Sequence, residues 1–562
     1  MTADLIVTNA VVLTMDDNRP RATAVAVAGG VVLAVGDVAE VAALAGPATR
    51  IVDAKGATLL PGFVESHLHL VLGAAELSDL QLGGEGGLEH LRAAFAAHAA
   101  ANPDLPLLMG QGAGYDMFGH PTTRHDLDAM LADRPIAMMA HDHHTVWANT
   151  AALTTAKLLH GADCPSGHEV VMGPDGTATG ELREFQAFTP IMALGGAAHL
   201  QLGIATGGEP DPWPDAARRE TDKAIIARGL VHAAAHGITS MVNMDGNRYT
   251  LSLLAELRDE GRLTARIKVP FHFKPHMDLG ELDRAEAMTA EFADDWLSCG
   301  FVKMFMDGVV DSGTAFMLRD YPGRPGHRSQ PLFDPERFKA ICIEIDRRGL
   351  QIAVHCIGDG AVHTCLDGYQ AARQANGARD ARHRIEHIEL IDPADVPRLA
   401  ALGVTASLQP PHAPGAMDFA LQPTLDILGA DRWGDAYLCA TLARQGARIV
   451  FASDWPVTDI SVLRGIGAAR TRAPYAGGGD ERLGLMATLR AYTAEGAWAA
   501  RLDGLTGRIE PGLAADLVLL DADLEATPET EIAGIAVAMT ICGGHVTYER
   551  PAANVGPRQV GM

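Results

Sequence analysis

Apolar, strand-like runs alternate with amphipathic, helix-like runs through the middle of this 562-residue chain. "ITSMVNM" (238–244), "FVKMFMDG" (301–308), "QIAVHCIGD" (351–359), "HRIEHIEL" (383–390), "VTASLQP" (404–410) and "RIVFASDWP" (448–456) are of the first kind. "DPERFKAICIEIDRRG" and "ADVPRLAALG" are of the second. Strand, helix, strand in series specifies βαβ units on a parallel sheet, each roughly 30 or more residues long. Polar residues near the ends of the apolar runs keep that spacing. Lys303 to His355 is 52 residues, His355 to His387 is 32, and His387 to Asp454 is 67, or two units with "VTASLQP" between them. These are the proportions of consecutive strands in a (β/α)8 TIM barrel, where functional residues sit at C-terminal strand ends. His67 to Lys303 is 236 residues, too many for three units, so a subdomain is expected to be inserted at about 75–225.

The two ends of the chain read differently. "DLIVTNAVVLTM" and "ATAVAVAGGVVLAVG" near the start, and "ADLVLLD" and "IAVAMTICGGHVTYE" near the finish, are short Val- and Ile-rich strands punctuated by turn residues. Gly543-Gly544 reads as a hairpin turn. The expected organisation is an α/β chain: residues 1–60 and 501–562 pairing into one small β-sandwich, and 61–500 forming the barrel with its insertion. Two independent β-extensions are the alternative.

Lys+Arg number 45 against 70 Asp+Glu, a formal charge of −25, which repels phosphate backbones and argues against nucleic acid as a partner. The seven cysteines include no CxxC pair and read as reduced thiols. The N-terminal segment does not resemble a signal peptide, and no apolar run is long enough to span a membrane, so a cytoplasmic location is expected.

"FVESHLHL" (63–70) places His67 and His69 at period two, which in a strand aims both rings at one spot. With Lys303, His355, His387 and Asp454 they form a set that one barrel mouth would gather. Imidazole and carboxylate suit zinc and similar divalent cations. An ammonium does not, so Lys303 joins such a set only as a carbamate (N6-carboxylysine), which could bridge two cations. Each position also has an ordinary reading. The two histidines could be solvated, His387 could be a hydrogen-bonded core residue, Asp454 a helix cap, and Lys303 a partner of Asp307.

Here the chain resembles the amidohydrolase superfamily, in the large-chain branch that includes the N-substituted formamide deformylases. "LLPGFVESHLHL" looks like the family's first-strand motif, "VKMFMDG" its lysine strand and "AVHCIGDGAV" its fifth-strand histidine. "RIEHIEL", "SLQPPH", "FASDWPV" and "GRIEPGLAADLVLLD" follow in the family's order. "GYDMFGHPTTRHDLD", "DHHTVWANTAAL" and "TGELRE" are similar within the insertion. Two positions depart from the branch: Asp142-His143-His144 stands where Asp-Gly-His is usual, and His363 where an acidic residue is common.

The resemblance implies one or two divalent ions, expected to be zinc. His67, His69 and Asp454 would hold one, His355 and His387 the other, and carboxylated Lys303 would bridge them. It implies hydrolysis of a non-peptide C–N bond in a small-molecule amide, formamide or N-acyl compound, with Asp454 as base and then acid. A homodimer is the implied assembly. A deaminase or lactonase using the same centre is the alternative within enzymes, and a non-catalytic scaffold the alternative outside them. Candidate substrate contacts are His144, Glu184, Gln409 and, in the Gly/Pro-broken loop at 313–335, Arg319. Arg319, Arg324 and Arg328 could each clamp a substrate carboxylate, or simply be solvated surface charge. Tyr115 and Trp147 could line an apolar pocket.

Overall fold

Val, Ile and Phe occupy both faces of the central strands, and in the computed structural model they are buried in two parallel sheets. The structure describes residues 1–82, 87–115, 117–141, 143–165, 167–196, 198–417 and 419–551, so Asp142 and the last residues of the 501–562 segment lie outside the described residues. In chain order the strands are β1 (Phe63–Leu68), β2 (Ile238–Asn243), β3 (Arg266–Lys268), β4 (Phe271–His272), β5 (Leu297–Ser298) and β6 (Phe301–Phe305). β7 (Gln351–Cys356), β8 (Arg384–His387), β9 (Thr405–Leu408) and β10 (Arg448–Phe451) follow. One sheet has the order β5-β3-β2-β1 and the other β4-β6-β7-β8-β9-β10, parallel throughout.

The two sheets meet along two seams. At one, β3 runs on through Val269 into β4, and the Val269 N–H donates to the Ser298 carbonyl at 2.9 Å. At the other, the Asp454 N–H donates to the His67 carbonyl at 2.9 Å and the His69 N–H to that of Trp455 at 2.7 Å. The C-terminal ends of the strands therefore face one side.

Helices connect the strands, as the alternating pattern requires. The one before β7, Pro335–Arg347, shows why such a segment is helical. Asp334 caps it by accepting from the Arg337 N–H at 2.9 Å, and proline fills the first turn, where its missing N–H costs nothing. Phe338, Ile341 and Ile345 are buried at helical spacing. At ~1.5–3 kcal/mol each, that burial outweighs the few tenths that propensity contributes per residue.

Between β1 and β2 stands a separate six-stranded sheet, ordered Glu169–Met172, Ala178–Arg183, Thr145–Ala148, Ile136–Ala140, Leu108–Ala113 and Leu80–Gln81. Strands from the two chain ends pair directly: Thr58–Pro61 lies antiparallel to Leu517–Leu520, which in turn pairs with Val537–Cys542. Val7, Val25, Leu59, Leu517 and Met539 share one apolar cluster. Gly543 and Gly544 turn the last hairpin with φ of 56° and 79°, a backbone that side chains beyond glycine resist. A buried ion pair, Arg266 Nε to Asp516 Oδ2 at 2.7 Å, ties β3 to this region. All seven cysteines are free. Among the described residues no helix is long and apolar enough to cross a membrane.

Candidate metal centre

β1 carries His67, and His69 follows just past its end. His67 Nδ1 lies 2.7 Å from Glu386 Oε2, and its Nε2 lies 3.1 Å from Asp454 Oδ1. His69 Nε2 is 3.2 Å from the same oxygen. The ligand atoms of His67, His69 and Asp454 all lie within 4.8 Å of one another, and so do those of His387, His412 and Asp454. Asp454 is common to both trios. Burial pushes its carboxyl up, but His67, His69 and His387 together hold it well below the usual carboxylate range. Its backbone is left-handed (φ 60°), as is that of His387 (φ 76°). For non-glycine residues such backbone costs about 1–3 kcal/mol and persists where the surroundings fix it.

His387 stands at the end of β8. Its ring centroid is 4.8 Å from that of His67, 4.5 Å from that of His355 and 6.0 Å from that of His412. His387 Nδ1 sits 2.9 Å from Gln409 Oε1 and 3.8 Å from Asp454 Oδ2. His355, on β7, has Nε2 at 3.1 Å from the Gly308 carbonyl. It belongs to neither trio but adjoins them through His387. Burial drives both His355 and His387 well below the ordinary imidazole range, so both are neutral with a lone pair available. Lys303 on β6 is buried, its Nζ lies 4.9 Å from the Phe305 ring centroid, and that nitrogen has no hydrogen-bond partner among the described residues. Burial lowers its ammonium to about 8 despite the opposing pull of Glu386 and Asp454. Neutral imidazoles, an ionised carboxylate and an orphaned buried amine are a donor set that fits a divalent cation such as zinc.

The set is held from behind. Glu386 accepts from Arg384 at 2.6 Å as well as facing His67, and although burial raises its carboxyl, Arg384 and His67 hold it far below its ordinary value. Glu65 Oε1 accepts the Ser453 N–H at 2.7 Å, and burial pushes this carboxyl up to about 8. Asp307 is not a partner of Lys303. Its oxygens accept the N–H groups of Phe316, Ile357 and Gly358 at 2.9–3.0 Å, clasping the loop after β6 to the end of β7. At Gly358 a Cβ would stand 2.1 Å from the Phe316 carbonyl oxygen, a backbone atom that cannot step aside. Gly358→Ala is therefore expected to cost about 1–3 kcal/mol, read as a lower urea midpoint at unchanged slope.

A cavity of about 70 Å³ opens in front of the trios. Its wall includes Phe185, Phe305, Val309, Val310 and Tyr437 beside the histidines and Asp454, and among the described residues it carries no lysine or arginine. His144 reaches it, with Nδ1 at 2.8 Å from Glu184 Oε2. Glu184 stands behind His144 and off the wall, and Gln409 likewise stands behind His387. A second cavity, about 640 Å³, shares His143, Phe419 and Val457 with the first.

Arg319 is not brought to the cavity. It is more than half exposed and pairs with Asp431 at 2.9 Å on the surface, so a neighbouring carboxylate already meets its charge. Arg324 and Arg328 are also absent from the wall, and the loop instead contributes apolar Val309 and Val310. Tyr115 and Trp147 pack edge to face at 5.2 Å, away from the cavity. His363 faces Asp395 at 3.0 Å, again outside it. Sequence reasoning passed over His412, Glu386 and Glu65, although all three lie inside quoted motifs.

A family model described as "Amidohydrolase family" matches residues 50–548. The chain is 28% identical to "Protein LONG AFTER FAR-RED 3" of Arabidopsis thaliana, over 97% of this chain and 92% of that protein. It is 26% identical to the N-substituted formamide deformylase of Arthrobacter pascens, over 97% and 98% respectively. The crystal structure of an uncharacterized metal-dependent hydrolase from Pyrococcus horikoshii OT3 superposes with a TM-score of 0.72 at 23% identity, over 93% of this chain and 99% of that one.

Proposed function

Because the chain belongs to the amidohydrolase family, we propose that it is a metal-dependent hydrolase that cleaves the C–N bond of small, neutral N-substituted amides, formamides above all. The observation that carries this reading is the pairing of a buried His/Asp ligand set with a small apolar cavity that offers no cation to a charged substrate. The two parallel sheets, joined at both seams, are read as one closed (β/α)8 barrel. Residues 61–500 would form it with the insertion at 75–225, and residues 1–60 and 501–562 would supply a β-sandwich.

His67, His69 and Asp454 would hold one cation, and His387 with His355 a second. Lys303, its orphaned nitrogen carboxylated by carbon dioxide, would stand between them. Bound there, the cation supplies Lewis acidity to the scissile carbonyl and makes water acidic enough to ionise near neutral pH. The chain's own groups do the rest. Asp454, held ionised by the histidines, takes the proton of the attacking water and afterwards returns it to the leaving nitrogen, so one carboxylate serves in sequence as base and acid. Glu386 fixes the His67 ring, and Gln409 that of His387. Phe305, Val309 and Val310 exclude bulk water from the acyl group.

Size gives the acyl specificity. At about 70 Å³ the cavity in front of the trios is the smaller of the two, so the acyl side is placed in it. The substituent on nitrogen would extend toward the 640 Å³ cavity beyond Phe419. The expected order of kcat/KM is N-formyl above N-acetyl above N-benzoyl, with aryl or alkyl amines on the nitrogen side. Each turnover should release amine and acid in equal amounts, and dialysis against a chelator should abolish it. Ammonia as the product would point to a deaminase instead, and activity indifferent to metal removal would overturn the proposal.

A further inference from the structure

His412 ends a short turn that follows β9, where Pro410–His412 is pinned by the His412 N–H donating to the Gln409 carbonyl at 3.0 Å. The residue is 5% exposed, and its Nε2 has no hydrogen-bond partner among the described residues. That nitrogen faces Asp454 Oδ2 at 3.9 Å, too far for a hydrogen bond and close enough for both atoms to share something between them. The ring lies nearly parallel to that of His387, with an interplanar angle of 10°.

The other ring nitrogen decides what Nε2 can do. His412 Nδ1 faces Glu389 Oε1 at 3.7 Å. A carboxylate on that side favours a proton on Nδ1 and leaves the Nε2 lone pair pointing at Asp454. Two neighbouring rings are held more closely, by hydrogen bonds that His412 does not make to Glu389. His67 turns Nδ1 to Glu386 and Nε2 to Asp454, and His387 turns Nδ1 to Gln409. An imidazole anchored by an acceptor on one nitrogen, with the other bare, is the form in which histidine ligates metals.

We infer that His412 is a ligand of the second cation, beside His387 and Asp454, with Glu389 on the cavity wall facing its other nitrogen. This rests on the metal-dependent reading above and goes beyond it, because the motif-based ligand set ends at His387 and His355. The site is not a hydrogen-bonding network in its own right, since at 3.9 Å His412 and Asp454 do not bond to each other. His355, with Nε2 against the Gly308 carbonyl, adjoins this trio but is not part of it.

The direct test is anomalous diffraction from crystals of the full chain loaded with Zn²⁺. The expected result is a zinc peak about 2.0–2.1 Å from His412 Nε2, in addition to one at His67 and His69. Zinc at His67 and His69 with His412 beyond bonding distance would overturn the inference and leave the proposed function standing. No zinc at any of these residues would overturn both. In solution, His412→Gln is expected to weaken binding of the second equivalent of Co²⁺ by at least the roughly 10–100-fold that losing an outer partner of a ligand costs and to change its d–d absorption. Glu389→Gln, which leaves the ligand in place, should shift the same band less. An unchanged cobalt titration and spectrum in a folded His412→Gln protein would refute the assignment, and the crystallographic test needs no variant to fold.

Discussion

Asp454→Asn is expected to lower kcat on an N-substituted formamide by roughly 10³-fold or more, within the range that a positioned proton-transfer group contributes and beyond it if metal is also lost. The substitution preserves shape and removes both the charge and the proton acceptor. Asp454 is the residue common to both ligand trios, and the histidines around it hold it ionised. Asp311 and Glu389 line the same space, but neither belongs to a ligand trio. Turnover within tenfold of the parent, in a variant with unchanged near-UV circular dichroism, would remove Asp454 from the mechanism.

Glu386→Ala should produce the largest loss of stability. The side chain is wholly buried and meets two groups at once, Arg384 at 2.6 Å and His67 at 2.7 Å. Removing it strands a buried guanidinium, which costs about 3–5 kcal/mol, and frees the His67 ring, which costs about 10–100-fold in metal affinity. Chemical unfolding of the metal-free protein isolates the first effect, and a chelator competition isolates the second. Glu386→Gln should recover part of the His67 contact while leaving the charge on Arg384 unmet. If the alanine variant unfolds within 1 kcal/mol of the parent, the ion pair matters less to stability than its burial implies.

Spacing made the strands legible. Lys303, His355, His387 and Asp454 recur at intervals of βαβ units, and the structure puts all four on or just beyond parallel strands. Pairing of the two chain ends was legible for a similar reason, since short Val-rich strands need partners. Glu386 was hidden by the same rule of alternation that exposed His67 and His69. Period two sends Glu386 and His387 to opposite faces, yet both serve the site because the left-handed backbone at His387 breaks the pleat. His412 lies in a turn, where no periodicity applies. Arg319, like Arg324 and Arg328, could be read as a clamp or as surface charge, because an arginine in a long loop advertises no partner, and Asp431, which supplies one, is 112 residues away. Long-range pairing of that kind leaves no local trace.

The buried contact between Arg266 and Asp516 has a bearing on how the molecule comes into being. Some 250 residues separate the two, and Asp516 also holds the start of β1 through the Gly62 N–H at 2.8 Å. During synthesis, the start of the strand that bears His67 can pair with Gly237 and Ile238 well before Asp516 is made, but its link to the C-terminal β-layer forms only late. Until then Arg266 lacks its paired carboxylate, and only Asp295 stands near its charge.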